Sequence, residues 1–113
     1  MEQDKYSPDI KAVLDSLLLS LPGVSAGKMF GFPAYYVKNK MFACIYGDGV
    51  GVKVPGPLAQ KLLAQPQIIP FRPLGRPPMQ EWIQINRPKA VDYRQDLEIF
   101  QAAIDFVSTL DDR

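Results

Sequence analysis

The sequence predicts an α+β fold: a two-layer sandwich with a mainly antiparallel sheet and helices on one face, in the order α-β-β-β-β-α-β-α. Three observations predict it. Residues 28–54, KMFGFPAYYVKNKMFACIYGDGVGVKV, hold half of the aromatic residues together with Val37, Ile45, Val50, Val52 and Val54, broken by turn signals at Lys38-Asn39 and Gly47-Asp48-Gly49. Two segments, near either end of the chain, repeat apolar residues at three- and four-residue spacing. Residues 80–86, QEWIQIN, alternate with the period of a strand. Short hairpin links favour antiparallel pairing, and a sheet with one greasy face needs helices to cover it.

Ser7-Pro8-Asp9 starts the first helix, with Ser as N-cap, Pro at the first helical position and an acid in the first turn. Ile10, Val13, Leu14, Leu17, Leu18 and Leu21 form its apolar stripe, and Pro22-Gly23 ends it. Residues 24–30 enter the meander as a strand, with Gly31 and Pro33 shaping the next turn. Phe30 reads as core and Lys28 as solvated.

Hairpin pairing sets Val37 opposite Lys40, Tyr36 opposite Met41, Tyr35 opposite Phe42 and Ala34 opposite Ala43. Across the second turn Gly47 faces Val50, Ile45 meets Val52 and Ala43 meets Val54. Alternation then assigns Ala34, Tyr36, Met41, Ala43, Ile45, Val50, Val52 and Val54 to a core face. Tyr35, Val37, Lys40, Phe42, Cys44, Tyr46, Gly51 and Lys53 fall on the opposite face, which is neither plainly polar nor plainly core.

Pro55-Gly56-Pro57 breaks the sheet and opens a short helix over residues 58–65. Ile68 and Ile69 begin a short strand that Pro70 interrupts. Residues 71–79, FRPLGRPPM, form a proline-stiffened loop around Gly75-Arg76. In the strand that follows, Ile83 and Ile85 point one way and Trp82, Gln84 and Asn86 the other. Asp92 caps the last helix, residues 93–110, whose inner stripe is Leu97, Phe100, Ile104 and Val107.

A chain of 113 residues with 47% hydrophobic and 22% charged content reads as one soluble globular domain spanning 1–113. Thirteen basic against twelve acidic residues create no strong field, which disfavours a general nucleic-acid or membrane-surface binder. One cysteine and the lack of a secretory leader predict a cytoplasmic protein. The absence of histidine removes the commonest general base and metal ligand, so neither a cofactor nor a metal is expected.

The succession KMFGFPAYYVKNKMFA, GDGVGVKV and FRPLGRPPMQEW resembles the TfoX/Sxy family, specifically its N-terminal domain and stand-alone proteins of that type. Those look like K-M-F-G-x-P-A-x-x-V-x-G-K-M-F-A followed by P-x-x-G-R-P-M. Asn39 stands where they have a turn glycine, Pro77-Pro78 adds a proline, and the second domain of the competence regulators is missing. The resemblance implies a small α+β domain of secretion-chaperone-like topology. It carries an association with regulation of transcription or competence, and no defined catalytic residues.

Among candidate residues, Cys44 is the only thiol, and Lys53, opposite it in the expected pairing, would make it more reactive. The structural alternative is a space-filling cysteine on a sheet. Arg76, held by glycine and prolines, suits either ligand binding or a structural ion pair with Glu81. The face bearing Tyr35, Phe42, Tyr46, Lys40 and Lys53 has three explanations: cover by the chain itself, a partner or self-association surface, or a stacking platform for single-stranded bases. The carboxylates of Asp9, Asp15, Asp92, Asp96, Glu98 and Asp105 fall on helix ends or outer faces and offer no acid–base pair.

The expectation is therefore a non-enzymatic protein-binding or regulatory domain. Its partner is another protein or itself as a homodimer, engaged through the aromatic face of the meander or its edge. Tyr35, Phe42, Tyr46, Lys53 and Arg76 are the candidate binding residues. The alternatives are a small-molecule or anion site, or an enzyme, at the Arg76 loop, and a nucleic-acid-binding regulator.

Overall fold

The computed structural model describes residues 6–110 other than 76, 78 and 79. Along the chain run α1 (Pro8–Leu18), β1 (Val24–Met29), β2 (Phe32–Val37), β3 (Lys40–Tyr46), β4 (Gly49–Lys53), α2 (Gly56–Leu62), β5 (Ile68–Pro70), β6 (Trp82–Ile85) and α3 (Leu97–Ser108). The strands form one six-stranded sheet ordered β1-β2-β3-β4-β6-β5, with every neighbouring pair antiparallel.

The helices cover one face. Ser7 Oγ accepts from the Ile10 amide at 3.3 Å, capping α1 as its sequence predicts. Ile10, Leu14 and Leu18 of α1, Ala59 and Leu62 of α2, and Phe100, Ala103, Ile104 and Val107 of α3 form one core with Tyr35, Val37, Ala43, Ile45, Val50, Val52, Ile83 and Ile85 of the sheet. The C-terminal helix starts later than expected. A tight 3₁₀ segment, Ala90–Asp96, precedes it, and Asp92 accepts from the Lys89 amide at 3.1 Å to cap that segment instead.

Two hairpin loops take left-handed backbone at both positions: Phe30 (φ 52) with Gly31 (φ 85), and Lys38 (φ 51) with Asn39 (φ 64). That is the two-residue turn whose twist matches the strands it joins. The second was expected. The first corrects the reading of Phe30 as core, because a residue at a hairpin tip has no sheet to lie on, and its ring is 62% exposed.

The first hairpin pairing also needs correction. Val37 faces Lys40 and Tyr36 faces Met41 as expected, but Tyr35 then faces Ala43 and Ala34 faces Cys44. Phe42 is the extra residue of a β-bulge. The bulge lets both Phe42 and Ala43 reach the helix-side core, while Met41 and Cys44 stay on the other face. It therefore turns Tyr35 and Val37 towards the helices and Ala34 and Tyr36 away from them, the reverse of simple alternation.

Across the next turn Tyr46 faces Gly49, Ile45 faces Val50 and Ala43 faces Val52, two residues from the expected register. Gly47, at φ 60, opens this loop. A slip of two preserves the side each residue faces, so Ile45, Val50, Val52 and Val54 are core as read.

Candidate functional site

On the face away from the helices, Ala34, Cys44, Phe71 and Trp82 form a second buried cluster, with Met29, Tyr36, Met41 and Tyr46 packed around it. Rings run across it in series. Phe32 and Tyr46 are 4.8 Å apart, Tyr46 and Phe71 meet edge-on at 5.8 Å, and Phe71 and Trp82 lie 5.5 Å apart. Phe71, carried back by the segment after β5, lies on Gly51. A Cβ there would come within 2.8 Å of the ring, so only glycine admits it. Of the three explanations for this face, cover by the chain itself is the one realised over its centre.

The expected binding residues do not share a surface. Tyr35 is 1% exposed, and its hydroxyl donates to Asp15 Oδ1 at 2.6 Å, while Lys11 donates to the other oxygen at 2.7 Å. Burial, with the bond to Asp15, pushes the Tyr35 phenol well above its ordinary range. Phe42 is 0% exposed in the helix-side core. The expectation that both face outward is corrected, and the bulge is the reason. Tyr46 is half-buried within the ring series.

Lys53 sits opposite Trp82 and, with Gln80 and Glu81, lines an open cleft of about 550 Å³. Arg76 lies outside the described residues. Cys44 pairs with Gly51 rather than Lys53, is fully buried, and burial pushes its thiol up to about 12, against the opposing pull of a backbone bond to Gly51. It is a filler, protonated and enclosed.

The expectation that Asp96 lies on a helix end or outer face, in solvent, is corrected. Asp96 is 3% exposed, and Arg87 grips both its oxygens, at 2.9 and 2.6 Å. Arg87 also donates to Gln67 Oε1 at 2.6 Å. Tyr93 donates to the Ile85 carbonyl at 2.8 Å and accepts from the Arg87 amide at 3.2 Å. This network ties the end of β6 to the approach to α3. An acid next to a helix start reads as a cap, so the sequence carried no sign that Asp96 is buried.

The accessible backbone is elsewhere. β1 closes one end of the sheet and pairs with β2, and among the described residues no strand lies on its outer side. Its four central residues, Ser25, Ala26, Gly27 and Lys28, are exposed. Met29 and Phe32 flank the two-residue loop and close it with hydrogen bonds. By ladder alternation Gly27 and Ser25 also bond inward, which leaves the Val24 carbonyl, both backbone groups of Ala26 and the Lys28 N–H turned outward, while the Val24 N–H donates to the Leu21 carbonyl at 3.3 Å. Gly27 is required because the Tyr36 ring lies across it, 2.8 Å from where a Cβ would stand, with the Tyr36 hydroxyl donating to the Lys28 carbonyl at 2.9 Å.

These features define a two-layer α+β protein with one face closed by helices, the other roofed by rings, and one long bare strand edge. The chain belongs to the YjbR family, whose profile matches residues 19–105. That match overturns the TfoX/Sxy resemblance, and the competence association it carried goes with it. Within the motif that carried the resemblance, Phe30-Gly31 and Lys38-Asn39 are hairpin loops and Ala34 packs in the ring cluster. No curated protein and no solved structure matches the chain. No described helix is long and apolar enough to cross a membrane, and no described group of three or more His, Cys, Asp or Glu could hold a metal ion.

Proposed function

We propose that this chain is a cytoplasmic protein-binding domain that works by taking an extended segment of a partner onto β1. The observation that carries the reading is the edge itself: six residues long, with the Ala26 N–H and C=O and the Lys28 N–H turned away from β2 and small side chains at Ser25, Ala26 and Gly27. Strand addition draws affinity from such main-chain groups and specificity from alternate side chains. The lone, buried thiol of Cys44 suits a reducing compartment.

Ala26→Pro tests it. Proline removes an outward N–H and leaves the β1–β2 ladder bonds in place. Peptides selected from a random library on the full chain should bind the wild type and fail to bind this variant at a temperature where both are folded. Binders indifferent to the substitution would overturn the reading.

A second reading rests on the cleft lined by Lys53, Gln80, Glu81 and Trp82, which combines an aromatic wall with a cation and a carboxylate. Small organic anions should then raise the melting temperature of the wild type and not of Lys53→Ala. Equal shifts in both would dispose of it.

A further inference from the structure

We propose that the segment added to β1 is acidic: an extended peptide with carboxylates at alternate positions, and an apolar residue where it passes the hairpin tip. This deepens the strand-addition reading and rests on it. Residues 16–47 contain no Asp or Glu, yet they carry Lys28 and Lys38. Lys28 lies on β1 itself, and Lys38 sits in the loop next to Val37, the partner of Val24 at the other end of the strand. The edge strand and the loop beside its far end thus each offer a cation to an incoming strand.

Asp15, which bonds Tyr35 opposite Ala26, has its charge already answered by Lys11 at 2.7 Å. A second copy of the chain is the wrong occupant. Two-fold pairing of β1 with itself would set no carboxylate beside either Lys28, because residues 16–47 contain none. The partner's side chains have room, because Ser25, Ala26 and Gly27 project little beyond the backbone. Phe30, 62% exposed at the strand's end, supplies the apolar contact.

The test uses the full chain and a short fluorescein-labelled peptide alternating valine and glutamate, set against the same peptide with threonine or lysine for glutamate and against a single-stranded oligonucleotide of equal charge. The glutamate peptide should bind several-fold tighter than the threonine one, as one or two exposed ion pairs supply, and weaken as salt rises. Lys28→Glu should remove that preference, and Ala26→Pro should abolish binding. If the threonine peptide binds as tightly and Ala26→Pro still abolishes it, the acidic partner is refuted while strand addition stands. If Ala26→Pro changes nothing, strand addition itself fails. Tighter binding of the oligonucleotide, or no peptide binding at all, overturns the proposal.

Discussion

The two ends of the sheet are built to opposite rules. At one end β5 is three residues long and finishes on Pro70, and its neighbour β6 is fixed from behind by Arg87, Asp96 and Tyr93. A short strand and a proline deny another chain a template. At the other end β1 runs twice as far, contains no proline and exposes its middle. Lys28 is its one charged residue, so it is poorly defended against pairing. On the proposed reading the closed end carries stability and the open end takes the partner strand, a division that substitutions can test separately.

The largest effect is expected at the closed end. Asp96→Ala leaves Arg87 buried without its partner and should remove about 3–5 kcal/mol, read from denaturant midpoints. A loss no larger than a surface substitution would mean that β6 is held by its apolar contacts alone. Gly51→Ala pushes a methyl group into the Phe71 ring and should cost about 1–3 kcal/mol, with a change in Trp82 fluorescence as the roof shifts.

Tyr35→Phe probes how the open end is moored, since it removes the bond from β2 to Asp15 on α1; a loss of about 1–1.5 kcal/mol is expected. The same substitution should alter acid sensitivity. Burial alone would raise the Asp15 carboxyl, but bonds from Lys11 and Tyr35 outweigh it and hold the group below its ordinary range. A carboxyl depressed by folding contributes stability above its unfolded value and loses it as pH falls through the folded one. Unfolding curves taken through the acid range should therefore show a smaller pH-dependent loss in Tyr35→Phe than in the wild type. The smallest effect belongs to β1: Ala26→Pro should cost less than about 1 kcal/mol. In hydrogen exchange the amides of Ala26 and Lys28 should trade far faster than those of Ile83 and Ile85.

Much of the fold was legible because it follows local rules. Ser7-Pro8 as a helix start, Lys38-Asn39 as a turn, and Ile83 and Ile85 as inward strand positions each depend on neighbours a few residues away. What was not legible depended on a single inserted residue. No local pattern distinguishes Phe42 as the bulge in MFAC, yet that residue decides which way Tyr35 and Tyr36 face. The covering of the ring face was hidden for a related reason: Phe71 reaches Gly51 across twenty residues of chain, and only the glycine hinted at a close approach. The edge could be anticipated as an alternative, but its standing as the accessible surface emerged only once Tyr35 and Phe42 were seen to be enclosed.

Phe30 stands in a left-handed conformation, φ 52, that asparagine or glycine adopts with less strain and a bulky ring resists. Foldability and display pull apart at that tip. Exchanging Phe30 for Asn should give a hardier protein and a blunter tool, with a higher melting point and a weaker grip on whatever strand lies alongside.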